Sequence, residues 1–237
     1  MSRTRPAPWP VLAAVAAALA AATSGLFAVA PAVAQTYTPL PAHIYAPYYE
    51  TYLAPNTQGI TATAHASGAR YFTLAFLQST GKGSCTLDWN GVASQPLNYY
   101  VSDIASLRAM GGDVIPSFGG YSADHGGTEI ADSCTNVQAI AANYEQVITT
   151  LGVTRLDMDV ESNSLNNTAG ITRRNQAIAL TQQWATANGI PLQIQYTLPV
   201  EQYGLDANGE AVLQNAVADG ATVNSVNIMV CKSSEVL

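Results

Sequence analysis

Three acidic side chains, Asp157, Asp159 and Glu161, recur at every second position of the run Gly152-Val153-Thr154-Arg155-Leu156-Asp157-Met158-Asp159-Val160-Glu161. On a β-strand, alternation places the three acids on one face and Leu156, Met158 and Val160 on the other. Same-face residues step about 6 to 7 Å along a strand, so the row leads from an interior toward one end, with Glu161 outermost. Like charges on one face repel, and they lose hydration where the face is enclosed, so stability alone does not select this pattern. It suits proton transfer. A carboxylic acid kept protonated near neutral pH can donate its proton to a leaving group as a bond breaks. Glu161 is placed for that role, and repulsion from Asp159 raises its pKa. The competing reading is a calcium or magnesium site, since acidic oxygens suit hard cations. Against it, the acids point the same way from one strand and lack the Asn/Gly-rich loop of a calcium site.

A strand carrying these acids needs neighbours. The sequence predicts strands over 43–49, 71–78, 113–118, 155–161, 192–198 and 223–230, alternating with helical patterns over 60–66, 95–110, 136–151, 171–187 and 210–218. In the third helix-forming stretch, just before the acids, Ile140, Tyr144, Val147 and Leu151 make one apolar face and Gly152 is the stop. Repeated strand–helix order implies parallel strands with helices outside, in either a (β/α)8 barrel or an open doubly wound sheet. An open sheet covered on both faces has no room for a row of three acids, whereas a barrel interior is lined by alternate residues and opens at its C-terminal end. The expected fold is therefore α/β, a (β/α)8 TIM-type barrel, with about six of the eight strand–helix units present.

Residues 1–34 read as a secretory signal peptide: Arg3 and Arg5 precede a long Ala/Val/Leu run, and Ala32-Val33-Ala34 is a small-residue cleavage site. A membrane anchor is the alternative, since about 20 apolar residues can span a bilayer. Residues 35–237 then form one domain, secreted and expected to be a monomer. That stretch carries seven basic residues against 16 acidic, a formal charge of −9, which argues against nucleic acid or an anionic membrane as partner. Its wealth of Tyr, Thr, Asn, Gln and Ser suits a neutral polar ligand, with carbohydrate the candidate class. Cys85 and Cys134 lie in loop-like sequence and are expected to form a disulfide in an oxidising compartment, leaving Cys231 over.

The acidic run resembles the fourth-strand signature of family 18 glycoside hydrolases, the chitinases and endo-β-N-acetylglucosaminidases, in which Asp-x-x-Asp-x-Asp-x-Glu ends in the catalytic acid. Three of four acids match, and Thr154 stands in place of the first. Val114-Ile115-Pro116-Ser117-Phe118-Gly119-Gly120 resembles the family's third-strand Ser-x-Gly-Gly. The resemblance implies a secreted enzyme that cleaves β-1,4-linked N-acetylglucosamine in chitin or related glycans, without a cofactor or metal. It also implies substrate assistance: the 2-acetamido oxygen of the substrate attacks the anomeric carbon, and the enzyme supplies no nucleophile. Glu161 would be the general acid and Asp159 would orient the acetamido group. Asp157 would share a proton or hydrogen bond with Asp159, with Ser117 as a partner. Tyr45 and Phe76 resemble aromatic positions lining the family's sugar site, with ordinary packing as the other reading. Gln195, Tyr196 and Thr197 lie on a strand of open phase, Gln195 being taken as substrate-binding. Trp89 is either a sugar platform or a loop anchor, and Gly119 and Gly120 are architectural.

The resemblance runs from about residue 43 to Met229. After Met229 it implies a Tyr that holds the acetamido group, two further strand–helix units and a Trp at the floor of the site. The sequence reads Val230-Cys231-Lys232 instead and ends at Leu237. The expectation is a C-terminally truncated chain whose barrel lacks its closing strands. A non-catalytic chitin-binding barrel is the competing class, and the presence of Glu161 argues against it.

Overall fold

The structure is a computed structural model that describes residues 36–56 and 59–230. The expected signal peptide and Cys231 lie outside the described residues. Six parallel strands form the sheet: β1 (Tyr48–Glu50), β2 (Tyr71–Ser79), β4 (Asp113–Gly119), β5 (Arg155–Asp159), β6 (Gln193–Glu201) and β8 (Ser225–Met229). They pair in the order β1-β2-β4-β5-β6-β8, with two short antiparallel additions, β3 (Leu87–Trp89) on β2 and β7 (Gly204–Leu205) on β6. This is the arc of an incomplete barrel, the expected fold. Among the described residues, β1 and β8 form the two edges of the parallel set.

The helices between the strands are α1 (Ile60–Ser67), α2 (Val101–Ala109), α3 (Tyr121–Gly126), α4 (Ile130–Ser133), α5 (Val137–Leu151), α6 (Thr168–Ala187) and α7 (Ala207–Ala218). The longest begin at side-chain caps. Asn136 accepts from the Ala139 N–H, Asn167 from Gly170 and Asp206 from Gly209, each meeting one of the donors that a helix start leaves unpaired. Helix α5 ends at Gly152, whose φ of 65° is left-handed, so the chain turns directly into the acid strand. The expected stripe Ile140, Tyr144, Val147 and Leu151 is buried, joined by Ala141 and Ile148.

Leu156, Met158 and Val160 are buried on the helix side of β5. Tyr144 of α5 meets Phe118 of β4 edge-on, with ring centroids 5.0 Å apart. Burial of each such large apolar side chain contributes about 1.5 to 3 kcal/mol. This packing offsets the cost of carrying acids on the opposite face.

Three boundaries differ from expectation. The first strand begins at Tyr48 rather than 43, because Pro47 has no N–H to give. The pairing with β2 starts there through the Thr73 N–H, which donates to Pro47 O at 3.0 Å. The pattern over 95–110 divides into a 3-10 turn at Leu97–Tyr100 and then α2. The stretch expected to be a loop around Trp89 contains β3. Trp89 is fully buried, donates from Nε1 to Leu97 O at 3.1 Å and packs edge-on against Tyr100. It is the loop anchor of the two readings.

The Cys85–Cys134 disulfide is present, with Cα atoms 4.7 Å apart, and ties the segment after β2 to the end of α4.

Candidate active site

Strand register explains how the acids are held. Ala75, Ser117, Asp157, Gln195 and Ser225 are lateral partners across β2, β4, β5, β6 and β8. One level toward the C-terminal ends, Gly119, Asp159, Thr197 and Asn227 align in the same way. The strand phase left open by the sequence is thereby fixed: Gln195 and Thr197 face the acids, while Tyr196 faces α6 and donates to Asn175 at 2.5 Å.

Asp157 is fully buried and surrounded by donors. Ser117 donates to Oδ2 at 2.6 Å, Gln195 Nε2 to Oδ1 at 2.9 Å and Thr197 to Oδ1 at 2.7 Å. The Tyr48 hydroxyl lies 2.9 Å from both Asp157 Oδ2 and Thr197 Oγ1. Burial pushes the Asp157 carboxyl up, and these four hydroxyl and amide groups pull it back. With its lone pairs so occupied, Asp157 is poorly placed to bind a cation.

Asp159 differs sharply. It too is buried, yet its Oδ1 has no hydrogen-bond partner among the described residues. Its pKa is pushed up to about 9, first by burial and then by the charges of Asp157, Glu161 and Asp124, with the Tyr48 hydroxyl opposing. The two carboxyls titrate as a coupled pair, and the donors around Asp157 favour its ionised form over that of Asp159.

Strand β5 ends at Asp159, short of the expected 161, and Glu161 lies two residues beyond it in extended backbone, with φ −137° and ψ −179°. It is half-buried, the most accessible of the three acids. Burial raises its pKa, and the Tyr121 main chain opposes the rise. A half-exposed acid above a buried, protonated neighbour can donate a proton outward and be recharged from solvent.

The glycines of Ser117-Phe118-Gly119-Gly120 are architectural, as expected. A Cβ on Gly119, where φ is +92°, would collide with the Asp159 main-chain oxygen, and one on Gly120 would enter the Phe76 ring. Phe76 occupies an irregularity in the β2–β4 register and lies beside Tyr48, with ring centroids 6.0 Å apart. Ser117, expected as a partner of Asp157, is buried and donates to it, and Gln195, taken as substrate-binding, is buried and donates to Asp157 as well. Tyr45 precedes β1 and is 76 % exposed. The first-strand aromatic that reaches the acids is Tyr48, three residues on, which sequence reasoning missed. The placement of Pro47 was the available signal, since it sets where β1 begins. Asp124 was also missed: its Oδ2 accepts the Glu161 N–H at 2.5 Å.

The chain is 36 % identical over 191 residues to a probable bifunctional chitinase/lysozyme of Escherichia coli (strain K12), a match covering 80 % of this chain and 20 % of that protein. It is 35 % identical over 191 residues to Endochitinase 11 of Metarhizium anisopliae, covering 80 % of this chain and 35 % of that one. The relatives of this chain are chitinases. The chain thus spans about a fifth and about a third of the length of these two relatives. Among solved structures, the catalytic domain of a hyperthermophilic chitinase from Pyrococcus furiosus superposes with a TM-score of 0.69 at 28 % identity, over 82 % of this chain and 59 % of that one. No family model matches the chain. The likeness agrees with the fold and with the chitinase resemblance carried by the acidic run and by Ser117-Phe118-Gly119-Gly120.

Proposed function

We propose that this chain carries the acid row of a secreted glycoside hydrolase that cleaves β-1,4-linked N-acetylglucosamine in chitin or related glycans. The observation that carries the reading is the contrast within the acid row. Asp157 is saturated with donors, Asp159 is buried with an unpartnered oxygen and a raised pKa, and Glu161 is half-open at the strand end. The similarity to chitinases supports the same substrate class.

In this mechanism Glu161 gives its proton to the glycosidic oxygen as the bond to the anomeric carbon breaks. The substrate's own acetamido oxygen forms the new bond to that carbon, so configuration is retained without an enzyme nucleophile. Asp159 orients the acetamido group through hydrogen bonding, and the donors around Asp157 keep the retained proton on Asp159. Water then attacks the anomeric carbon to open the cyclic intermediate, and its proton returns to Glu161. The protein acts outside the cell as a monomer, after removal of residues 1–34.

The test is hydrolysis of N-acetylglucosamine oligomers beside glucose oligomers of the same length, with the anomeric form of the first product read by proton NMR. Cleavage of the acetamido sugars alone, with the β-anomer released first, is expected. Efficient cleavage of the glucose oligomers, or release of the α-anomer first, would contradict substrate assistance.

A further inference from the structure

Successive residues of a parallel strand send their N–H groups to opposite neighbours. The Val160 N–H donates toward β6, to Thr197 O at 3.0 Å, so the Glu161 N–H is directed to the β4 side. On that side the last ladder bond runs from the Gly120 N–H to Asp159 O at 3.1 Å, and β4 has already ended at Gly119. No β4 carbonyl remains for Glu161. Helix α3 returns the Asp124 carboxyl to that place, and Oδ2 accepts the Glu161 N–H. Asp124 is itself held by the double-glycine turn, its N–H donating to Gly120 O at 3.0 Å.

The arrangement is an expensive way to satisfy one N–H. Asp124 is fully buried, and its Oδ1, beside Gly119, has no hydrogen-bond partner among the described residues. Burying the second oxygen without a partner is a cost that meeting one N–H does not require. Immediately after Glu161, Ser162 adopts a φ of 47°, a left-handed conformation unfavourable for a residue with a side chain. The catalytic candidate is thus one residue wide, between the end of a ladder and a strained turn, and its main chain needs an anchor.

We propose that Asp124 is a positioning residue for the acid, its carboxyl standing in for the missing β4 carbonyl and fixing the extended backbone that aims the Glu161 side chain along the acid row. This rests on Glu161 being the general acid. The charged and titratable groups around Asp124 are Glu129 and Asp132 at α4, Arg174 on α6, Asp159 and Glu161 of the acid run, the neighbouring His125, and Lys82, which lines the same cavity. Burial, with Glu129 next, pushes Asp124 up to about 8, while the Glu161 N–H and Arg174 oppose. Asp124 therefore holds Glu161 in its neutral form over the acidic and neutral range. Its ionisation on the alkaline side places one more charge beside Asp159, which the Asp124 charge already raises.

The experiment pairs turnover of chito-oligosaccharides with the 15N-resolved amide proton of Glu161, in the full chain and in Asp124→Ala and Asp124→Asn, each checked for folding by circular dichroism. Asp124→Ala is expected to lower kcat by about ten- to a hundredfold with KM within about twofold, the scale of a misplaced reacting group. Asp124→Asn, whose amide oxygen accepts the same N–H, is expected to recover most of that loss. The Glu161 amide proton should move upfield in Asp124→Ala. In the unmodified chain it should titrate with a midpoint near 8, and in Asp124→Asn that titration should vanish. An unchanged kcat in folded Asp124→Ala, absence of rescue by Asn, or an amide shift indifferent to both substitutions would each overturn the proposal. If the unmodified chain cleaves no chito-oligosaccharide, the functional reading fails separately, and the amide titration decides whether Asp124 anchors Glu161.

Discussion

Ser117 and Asp157 are lateral partners across the β4–β5 ladder, and the Ser117 hydroxyl donates to Asp157 Oδ2 at 2.6 Å in a fully buried setting. A bond of this kind to a charged acceptor is worth about 1.5 to 3 kcal/mol. Ser117→Ala removes one of the donors that favour ionised Asp157, so the retained proton moves from Asp159 toward Asp157. We expect kcat on chito-oligosaccharides to fall about tenfold or more, with KM changed far less. Steady-state kinetics checks this, and an unchanged kcat would show that the donors around Asp157 do not set the proton's place.

Stability should depend on pH with a definite sign. The carboxyls of Asp159 and Asp124 are raised to about 9 and about 8 by burial, whereas in the unfolded chain they ionise near 4. From about pH 4 to about pH 8 or 9 the folded state binds more protons than the unfolded one, so stability falls as pH rises through that window and levels off above it. Urea midpoints from pH 5 to pH 9 should show this decline, and Asp159→Asn should flatten part of it. A rise in stability over the same range would contradict the buried, protonated state of these groups.

Arg174 and Glu129 form an ion pair at 2.8 Å with both side chains fully buried. Glu129 also accepts the Ala131 and Asp132 N–H groups at the start of α4. Removing one partner leaves an uncompensated buried charge, at a cost of about 3 to 5 kcal/mol. Glu129→Gln should show that loss in chemical unfolding, whereas Arg174→Lys, which keeps the charge without the planar fork, should lose less. Little loss in Glu129→Gln would place the charge compensation elsewhere.

The Cys85–Cys134 bridge closes a loop of 49 residues. By the chain-entropy relation such a closure stabilises by up to about 4 kcal/mol. Replacing both cysteines with serine should lower the unfolding free energy by about 2 to 4 kcal/mol, and a reductant should do the same to the unmodified chain. A double variant as stable as its parent would mean that the unfolded chain gains little freedom from losing the bridge.

What the sequence made legible was what repeats locally. The acid row follows from a period of two, and the buried stripe of α5 from a period near 3.6, so a single segment of sequence carries each pattern. Choosing a barrel over an open sheet needed only the argument that three acids require a face not covered by helices. The partners were not legible, because they come from far away in the chain. Tyr48 meets Asp157 across 109 residues and Asp124 meets Glu161 across 37. Tyr45 stood in the expected place because a short edge strand carries little periodic signal, and Pro47 moved the start of pairing by several residues. Gln195 was singled out as a ligand contact, yet lateral register turns it toward Asp157, which Ser117 meets from the other side. Such register is a property of pairing that no single segment encodes.

The most direct measurement of the central claim is turnover of a chitin tetramer or pentamer by the unmodified chain and by Glu161→Gln, with oligomer binding measured alongside by calorimetry. Loss of general acid catalysis costs on the order of 10² to 10⁴ in rate. The account predicts that Glu161→Gln binds the oligomer within about threefold of the unmodified chain and cleaves it at least about a hundredfold more slowly. Turnover by Glu161→Gln equal to that of the unmodified chain would contradict it.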